Sequence, residues 1–320
     1  MMQIEDHCAE LRSLLEKAVL RNLCEGIMLS GGLDTSIIAY LASHHTQLKA
    51  ITVAFAAAPA PDVEYAKLIA KDLGIDHKIF QFNEHELFEA IPKVIEIIKS
   101  FDPMEIRNSA SIFLALKSAR ENDIKSMMTG DGSDELFAGY SFLFNLQKEQ
   151  LDDRLFKMWG NVFFSSLLIG RSFGITIKLP YLDREFKSYA MNLDSGYKIK
   201  SEGHKIWGKW ILRKAFEGLL PEAIVWRMKT PIEYGSGTTI LTNILEKRIE
   251  DSEFKEKKSK YMKRDRVIIR DKEQLYYYEI YRSVIGVPHK IEHSCKNCPF
   301  CNSDVPESAK YCKVCGAYPI

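Results

Sequence analysis

Residues 26–39 of this 320-residue chain read GIMLSGGLDTSIIA, the most informative run in the sequence. Residues 26–29 predict a buried strand, Ser-Gly-Gly turns the chain, and the spacing of Ile37, Ile38 and Leu41 predicts a helix after the turn. Backbone N–H groups of a glycine turn and of a helix N-terminus point at one spot, where the helix dipole adds partial positive charge. The stretch therefore predicts a loop that binds phosphate. A glycine turn without a ligand is the alternative.

The elements around this loop alternate between helices and strands. A helix precedes the first strand, and Asp62 is a candidate N-cap for a later one. We predict further strands over 49–55, 77–82 and 124–128, and helices over 8–23, 63–73, 84–99 and 109–121. This alternation is typical of an α/β fold with a parallel doubly wound sheet, in which ligands bind beyond the carboxyl ends of the strands.

A second informative run, MMTGDGSDELFAGY at 127–140, places three acidic residues around a glycine-rich turn after a strand. Carboxylates this close repel one another, so Asp131, Asp134 and Glu135 indicate a bound cation, either magnesium or a cationic group of a substrate. A solvated acidic loop that caps the following helix is the alternative interpretation.

Composition bounds the class of protein. The chain is 46% hydrophobic and 27% charged, which is typical of a globular protein, and its net charge of +1 gives no overall electrostatic footprint for nucleic acid. No apolar run is long enough to span a bilayer, and the N-terminus does not read as a signal peptide. We expect a cytoplasmic protein with no membrane partner.

The loop at 30–36 resembles the Ser-Gly-Gly-x-Asp-Ser/Thr-Ser loop of PP-loop ATP pyrophosphatases. Together with the run at 127–140, in this order, it resembles the synthetase domain of asparagine synthetase B. The resemblance extends over about residues 8–287, through four further segments: IRNS at 106–109, GITIKLPYLD at 174–183, LPEAIVWRMK at 220–229 and the predicted closing helix at 271–281.

The resemblance implies a fold of PP-loop type with a helical C-terminal half, and adenylation of a carboxylate by ATP. The residues that it implies for gripping pyrophosphate are Ser30, Gly31, Gly32, Asp34, Thr35 and Ser36. Asp34 and Asp134 would hold magnesium, and Gly130 would contact the nucleotide. Val53 would lie near adenine. Lys229 would stabilise negative charge in the transition state, and Arg107 would assist at the phosphates.

The chain departs from the family at residues that the resemblance places near the substrates. Asp131, assigned to the acceptor or the amine, replaces a glutamate of some members, while Thr176 and Lys178 replace a glutamate and an arginine. Residues 159–168 are mostly apolar where members often carry charges. We therefore leave the acceptor open, as aspartate or a related acid. We expect no glutaminase domain before the synthetase segment, and therefore expect the amine to be free ammonia, ammonia from a separate amidotransferase subunit, or another amine.

The tail carries two Cys-x2-Cys pairs, Cys298 with Cys301 and Cys312 with Cys315. Four thiolates at this spacing predict a structural zinc site, and the pattern resembles a short zinc ribbon able to dock a protein or an RNA. Cys295 and His293 are interpreted as bystanders. The interleaved charges of residues 251–272 are interpreted as a solvated or mobile loop.

These observations predict a domain at 1–287, with its sheet part at about 1–140 and its helical part at about 141–287, and a zinc ribbon at 288–320. The leading hypothesis is an AMP-forming carbon–nitrogen ligase of the asparagine synthase type that uses ATP and Mg²⁺. The alternatives are a PP-loop enzyme that modifies tRNA and a non-catalytic ATP-binding subunit.

Overall fold

Five strands form the main, parallel sheet of this computed structural model, which describes residues 3–159, 162–289 and 296–320. The strands of the molecule are β1 (Gly26–Met28), β2 (Lys49–Phe55), β3 (Asp76–Phe82), β4 (Ser126–Met128), β5 (Thr176–Lys178), β6 (Ile199–Glu202), β7 (Lys205–Gly208), β8 (Lys296–Asn297) and β9 (Asp304–Val305). The α-helices are α1 (Ile4–Arg21), α2 (Leu33–Ser43), α3 (Asp62–Asp72), α4 (Glu84–Ile98), α5 (Pro103–Glu121), α6 (Ser133–Phe137), α7 (Lys148–Trp159), α8 (Ser165–Phe173), α9 (Arg184–Asn192), α10 (Trp210–Phe216), α11 (Glu222–Val225), α12 (Ile232–Gly235), α13 (Ile240–Arg248), α14 (Asp251–Asp265) and α15 (Lys272–Val284).

The strand order of the main sheet is β3-β2-β1-β4-β5. The central strand β1 pairs in parallel with both neighbours, so that Gly26 lies opposite Lys49 of β2 and Met127 of β4. The carboxyl ends of β1 and β4 therefore lie side by side at one edge of the sheet. This arrangement confirms the predicted parallel α/β sheet, and helices dominate the chain after β4, as expected.

The chain forms two compact units. The first comprises the residues up to Thr52, Pro61–Phe80 and Lys117–Pro231. Its core contains the apolar faces of α1 and α2 and most of α10, with Leu11, Ile37 and Phe216 fully buried. Helix α1 is amphipathic, and its leucines face this core because they recur at the spacing of one helix face.

The second unit comprises Val53–Ala60, Gln81–Leu116 and the chain from Ile232 onward. In it α4 packs against α15, and Phe101 is fully buried with its ring 5.1 Å from the rings of both Tyr278 and Tyr281. Strands β8 and β9 form a small antiparallel ribbon in the same unit. Asn83 begins α4 as its N-cap, accepting the amide hydrogen of Glu86.

The prediction of a loop over residues 251–272 was wrong, since residues 251–265 form helix α14. Lys257 pairs with Glu253 one helical turn earlier, at 2.8 Å, and its ammonium also lies 2.9 Å from Glu279 of α15. Tyr261 is buried on the same helix and donates to Glu279. Opposite charges at helical spacing with a buried anchor favour a helix with a solvated face.

Asp62 is the first residue of α3, and Pro61 occupies the N-cap position that was predicted for Asp62. The Asp62 carboxylate instead accepts a hydrogen bond from Arg227 at 2.6 Å. Helix α5 begins at Pro103, six residues before the predicted start at 109. Across the described residues, every helix is too short or too polar to cross a bilayer.

Candidate active site

The loop between β1 and α2 is held in shape by its own hydroxyl groups. The Ser30 hydroxyl lies 3.1 Å from that of Thr35 and accepts the amide hydrogen of Gly32 at 3.2 Å. Gly31 adopts a left-handed backbone with φ of 64°, which glycine tolerates without a steric cost. The fully buried Ser36 hydroxyl finds no hydrogen-bond partner among the described residues. A preformed loop with an unpaired buried hydroxyl, at the N-terminus of α2, suits an anion.

Asp34 and Asp134 converge on one ammonium group, that of Lys209. The Lys209 Nζ lies 2.6 Å from Oδ2 of Asp34 and 2.7 Å from Oδ1 of Asp134, and the lysine side chain is 4% exposed. Asp34 also accepts a hydrogen bond from Ser133 at 2.7 Å. Because carboxylate oxygens are the ligands that magnesium prefers, two carboxylates that already share a cation fit the predicted metal position.

Lys229 reaches the same carboxylate from another side. Its Nζ lies 2.6 Å from Oδ2 of Asp134 and 5.2 Å from the centre of the Tyr140 ring. Burial alone would raise the pKa of Asp134, but the ammonium groups of Lys209 and Lys229 outweigh it and hold that pKa below its ordinary value. Gly139 makes this packing possible, because a Cβ there would lie 1.8 Å from Asp134 Oδ1.

Asp131 sits in a different environment although it belongs to the same turn. Its Oδ2 accepts hydrogen bonds from Thr129 at 2.8 Å and from Ser166 of α8 at 2.5 Å. Burial raises the pKa of Asp131, and these two hydrogen bonds only partly offset the rise. A raised pKa makes this carboxylate a stronger proton acceptor than an ordinary aspartate.

The first unit thus brings together most of the predicted site residues, including Gly130, which lies against Asp34 and Thr35. Val53 and Arg107 belong to the second unit. Val53 is half-buried on β2. The Arg107 guanidinium is occupied within its own unit, by Glu233 at 2.6 Å and by Glu273 at 2.8 Å.

Lys209 was missed by the sequence analysis. Burial lowers its pKa, but Asp134 and Asp34 together leave that pKa raised, so the ammonium stays charged. Its backbone is left-handed, with φ of 57°, a conformation that is strained for lysine and that concentrates at functional sites. A signal was available in residues 207–216, WGKWILRKAF, because a cationic residue among apolar neighbours that becomes buried needs charged or hydrogen-bonding partners, as Lys209 and Arg213 do.

Two arginines in the first unit hold the segment that carries Lys229. Arg227 donates to Asp62 at 2.6 Å and to the Ser30 carbonyl at 3.3 Å, and its guanidinium lies 3.8 Å from the centre of the Tyr65 ring. The buried guanidinium of Arg213 donates to the carbonyl oxygens of Val225 and Arg227. Burial lowers the pKa of Arg213 to about 10. The guanidinium therefore remains charged at neutral pH.

The tail cysteines Cys298, Cys301, Cys312 and Cys315 are buried, and their sulfur atoms all lie within 4.8 Å of one another. The Sγ atoms of Cys298 and Cys315 are 3.6 Å apart, and those of Cys301 and Cys312 are 3.7 Å apart. Four sulfurs placed tetrahedrally at about 2.3 Å from zinc are separated by about 3.8 Å, so the cluster fits zinc. Cys295 and His293 lie outside the described residues.

Comparison with known proteins places these features in a family. The asparagine synthase family model matches residues 10–168 and 168–274. The chain is 31% identical over 250 residues to the asparagine synthetase (glutamine-hydrolyzing) of Zea mays, covering 71% of this chain and 42% of that protein. It is 27% identical over 282 residues to a probable asparagine synthetase (glutamine-hydrolyzing) of Dictyostelium discoideum, covering 78% of this chain and 51% of that protein.

A solved structure of an NH3-dependent NAD synthetase from Campylobacter jejuni has 15% sequence identity and covers 69% of this chain and 99% of its own, with a TM-score of 0.31. That likeness is too weak to support a conclusion. The chain spans about half the length of the curated relatives that it matches. Since the family model covers well over half of the residues, including both loops of the candidate site, this chain belongs to the asparagine synthase family.

Proposed function

We propose that this chain is an ATP-dependent amide ligase, which adenylates a carboxylate and transfers its acyl group to ammonia or another amine. The observation that carries the proposal is the convergence of two carboxylates and two ammonium groups, from Asp34, Asp134, Lys209 and Lys229, beside the Ser30 loop. The names of the relatives, asparagine synthetases that hydrolyse glutamine, support the same class of reaction.

In the first step a carboxylate oxygen of the acceptor forms a bond to the α-phosphorus of ATP. The bond from that phosphorus to the oxygen bridging it to the β-phosphate breaks, and pyrophosphate leaves with the electron pair. The main demand on the protein is to position and stabilise this negative charge. We assign the pyrophosphate to the loop residues Ser30, Gly31, Gly32, Asp34, Thr35 and Ser36.

We assign Mg²⁺ to Asp34 and Asp134, whose oxygens already share the Lys209 ammonium. When bound, Mg²⁺ would neutralise charge on the phosphate oxygens. Lys209 lies at the same carboxylates and is buried, so it keeps the pair compensated in the nucleotide-free protein. Lys229 is more exposed than Lys209 and is assigned to the charge that develops on the departing phosphates.

In the second step the amine nitrogen attacks the acyl carbon, the bond from that carbon to the AMP oxygen breaks, and AMP leaves. The nitrogen loses a proton as the amide forms. We assign that proton to the Asp131 carboxylate, whose pKa is raised by burial. We propose that Gly130 contacts the nucleotide and that Val53 lies near the adenine ring. The assignment of Arg107 to the phosphates stays a prediction that rests on the family resemblance.

The proposed domains are the ligase domain at 1–287 and a zinc ribbon at 288–320, with zinc held by Cys298, Cys301, Cys312 and Cys315. We propose aspartate or a related acid as the acceptor, because the relatives are named asparagine synthetases. A related acid is kept because Thr176 and Lys178 on β5 replace a glutamate and an arginine of the family. The amine is proposed to be free ammonia, ammonia from a separate amidotransferase subunit, or another amine.

The test is ATP–pyrophosphate exchange, with AMP release measured in parallel, across a panel of amino acids and with ammonia, glutamine or tRNA added in turn. We expect exchange that depends on one acid and AMP release that depends on an amine. Lys229→Ala should lower exchange by about 10²- to 10³-fold, the usual loss for one preorganised charge-stabilising group. Lys255→Ala, on the exposed face of α14, is the matched control and should leave exchange unchanged.

The remaining outcomes separate the other functions. If exchange depends on an acid other than aspartate, aspartate is not the acceptor, but the chain is still an amide ligase. AMP release that requires tRNA replaces the ligase with a tRNA-modifying enzyme. ATP binding without exchange for any member of the panel identifies a non-catalytic ATP-binding subunit.

A further inference from the structure

The cysteine module, residues 296–320, is bonded to the rest of the second unit through its own metal-binding turns. We call Cys298–Cys301 the first knuckle and Cys312–Cys315 the second knuckle. We propose that this module is a metal-dependent internal brace of the second unit, whose docking partners are two segments of this same chain, 100–102 and 268–274. This inference is independent of the proposed ligase activity.

The segment that precedes α5 bonds to the second knuckle. The amide of Phe101 donates to the carbonyl oxygen of Val314 at 2.7 Å, and the Ser100 hydroxyl donates to that of Lys313 at 2.8 Å. The Tyr311 hydroxyl donates to the carboxylate of Asp102. Ser100 and Asp102 are 2% and 3% exposed, so these bonds to the cysteine module lie in the interior. The Asp102 carboxylate also accepts the amide hydrogen of Met104 at 3.3 Å, so the module supplies one of its partners.

The segment that leads into α15 bonds to both knuckles. The amide of Ile268 donates to the carbonyl oxygen of Phe300 at 2.7 Å, within the first knuckle. The side-chain amide of Gln274 donates to the carbonyl oxygen of Cys315 at 2.8 Å, and the Arg270 guanidinium donates to that of Gly316 at 3.0 Å. Gln274 is 1% exposed, so its bond to the knuckle lies in the interior.

The acceptors in these bonds are mostly backbone carbonyls of the two knuckles. Their directions are set by the tight turns that bring the four thiolates together, and so small a segment has no apolar core to hold such turns without metal. Gly316 tightens the contact further, because a Cβ there would lie 2.1 Å from Oδ1 of Asp102. Metal binding and docking are therefore thermodynamically linked, so that loss of metal also loosens segments 100–102 and 268–274.

The coupling between metal binding and docking extends to the buried ion pairs of the second unit. Gln274 follows Glu273, which accepts hydrogen bonds from Arg107 at 2.8 Å and from Tyr277 at 2.9 Å. Loosening the start of α15 would therefore release a buried acceptor of Arg107. The module then has a function within the chain that needs neither an RNA nor a partner protein.

Hydrogen exchange measured by mass spectrometry on the full chain tests the proposal, with zinc bound and after chelation. The reporters are peptides containing Phe101 and Ile268, whose amides donate to the knuckles, and the internal reference is a peptide containing Leu29, whose amide donates to Ile51 in the first unit. We expect chelation to accelerate exchange at Phe101 and Ile268 by about tenfold or more and to leave Leu29 unchanged. Re-addition of Zn²⁺ should restore protection.

Three variants, one of them a control, test the proposal further. Cys301→Ser should reproduce the effect of chelation, whereas Cys24→Ser, at a half-buried cysteine of the first unit, should not. Gln274→Ala keeps the four thiolates, so it should still bind zinc while exchange at Phe101 and Ile268 accelerates. If chelation changes exchange only within 296–320, the module is a separate appendage and the proposal is overturned. If the Cys301→Ser variant does not accumulate, the comparison of the wild-type chain before and after chelation still tests the proposal.

Discussion

Asp131 and Asp134 are three residues apart, yet their surroundings shift their pKa values in opposite directions. Two ammonium groups hold the pKa of Asp134 low against the effect of burial, whereas burial raises the pKa of Asp131, whose carboxylate accepts hydrogen bonds from the hydroxyls of Thr129 and Ser166. Neighbouring carboxyl groups with divergent pKa values suit different chemical tasks, which we propose are those of a cation ligand for Asp134 and a proton acceptor for Asp131. At the residue scale, the site therefore depends on which donor reaches which carboxylate.

The raised pKa of Asp131 gives a prediction about pH. Because the folded-state pKa lies above the ordinary value of 3.8, the folded protein binds more protons between the two values, and the free energy of unfolding falls as pH rises through that window. Asp131→Asn removes this group. The wild-type free energy of unfolding minus that of Asp131→Asn should therefore decrease as pH rises above about 4.

Denaturant unfolding at a series of pH values measures this difference. Asp72→Asn, at an exposed position of α3, is the matched control and should not reproduce the decrease. A difference that stays constant with pH would show that Asp131 is not held in a desolvated environment.

Lys209 gives a second prediction at this scale. Lys209→Met leaves Asp34 and Asp134 facing each other without their shared ammonium, and breaking a buried ion pair in this way costs about 3–5 kcal/mol. If the two carboxylates are the magnesium ligands, millimolar Mg²⁺ should recover part of that loss, as measured by thermal unfolding.

The control for Lys209→Met is Lys198→Met. Lys198 is also buried, but burial lowers its pKa to about 8, and Asp152 and Asp194 raise it only partly. Its replacement should cost less stability and show no dependence on Mg²⁺. Equal destabilisation of Lys209→Met with and without Mg²⁺ would contradict the metal assignment.

At the scale of elements, the loop between β1 and α2 depends on α3 and on the segment before Lys229. Arg227 connects them, since it donates to Asp62 at the start of α3 and to the Ser30 carbonyl, and packs on Tyr65. Burial raises the pKa of Asp62 although the charge of Arg227 beside it lowers that pKa. The contact between the two side chains is therefore strongly desolvated. The shape of the loop is therefore a property of three segments together.

A double-mutant cycle of Arg227→Met and Asp62→Asn tests this connection by urea unfolding. We expect a coupling free energy of about 1–3 kcal/mol, because the two groups are in direct, buried contact. The exposed pair of Lys67 and Glu64 on the same helix, at 2.9 Å, is the control, and its coupling should be at most about 1 kcal/mol. Additive effects in the Arg227 cycle would mean that the contact does not hold the loop.

At the scale of the whole molecule, each compact unit has its own charged centre. In the second unit, Arg107 of α5 joins Glu233 of α12 to Glu273 of α15, and Thr242 also donates to Glu273 at 2.7 Å. Glu233 and Glu273 are buried, so their charges depend on Arg107 for compensation. This centre connects helices that are distant in sequence.

Arg107→Met should therefore destabilise the protein by about 3–5 kcal/mol, as calorimetry or denaturant unfolding would measure. A role at the phosphates, predicted from the family resemblance, adds a separate expectation of slower pyrophosphate exchange well below the unfolding temperature. Full stability in the variant would contradict the structural role of this ion-pair network. Loss of stability with normal exchange would contradict the phosphate role.

Much of the fold was predictable because its signals are local. The β1 loop, the alternation of strands and helices and the paired cysteines all depend on residues that are close in sequence. The error at α14 has the opposite cause. Its charges read as solvated, but the helix is anchored by Tyr261 and Lys257, which contact Glu279 across 18 and 22 residues of sequence.

The parallel α/β sheet could be predicted from the alternation of strands and helices along the chain. The glycine turn after β1, the acidic turn and the four-cysteine cluster could each be predicted from spacing within a short run. Their partners come from distant segments and could not be read from the sequence: Lys209 between Asp34 and Asp134, Ser166 at Asp131, and segments 100–102 and 268–274 at the cysteine knuckles. The physical reason is that a buried charge or carbonyl needs a partner wherever the packed chain can supply one, and that partner is chosen by distance in space.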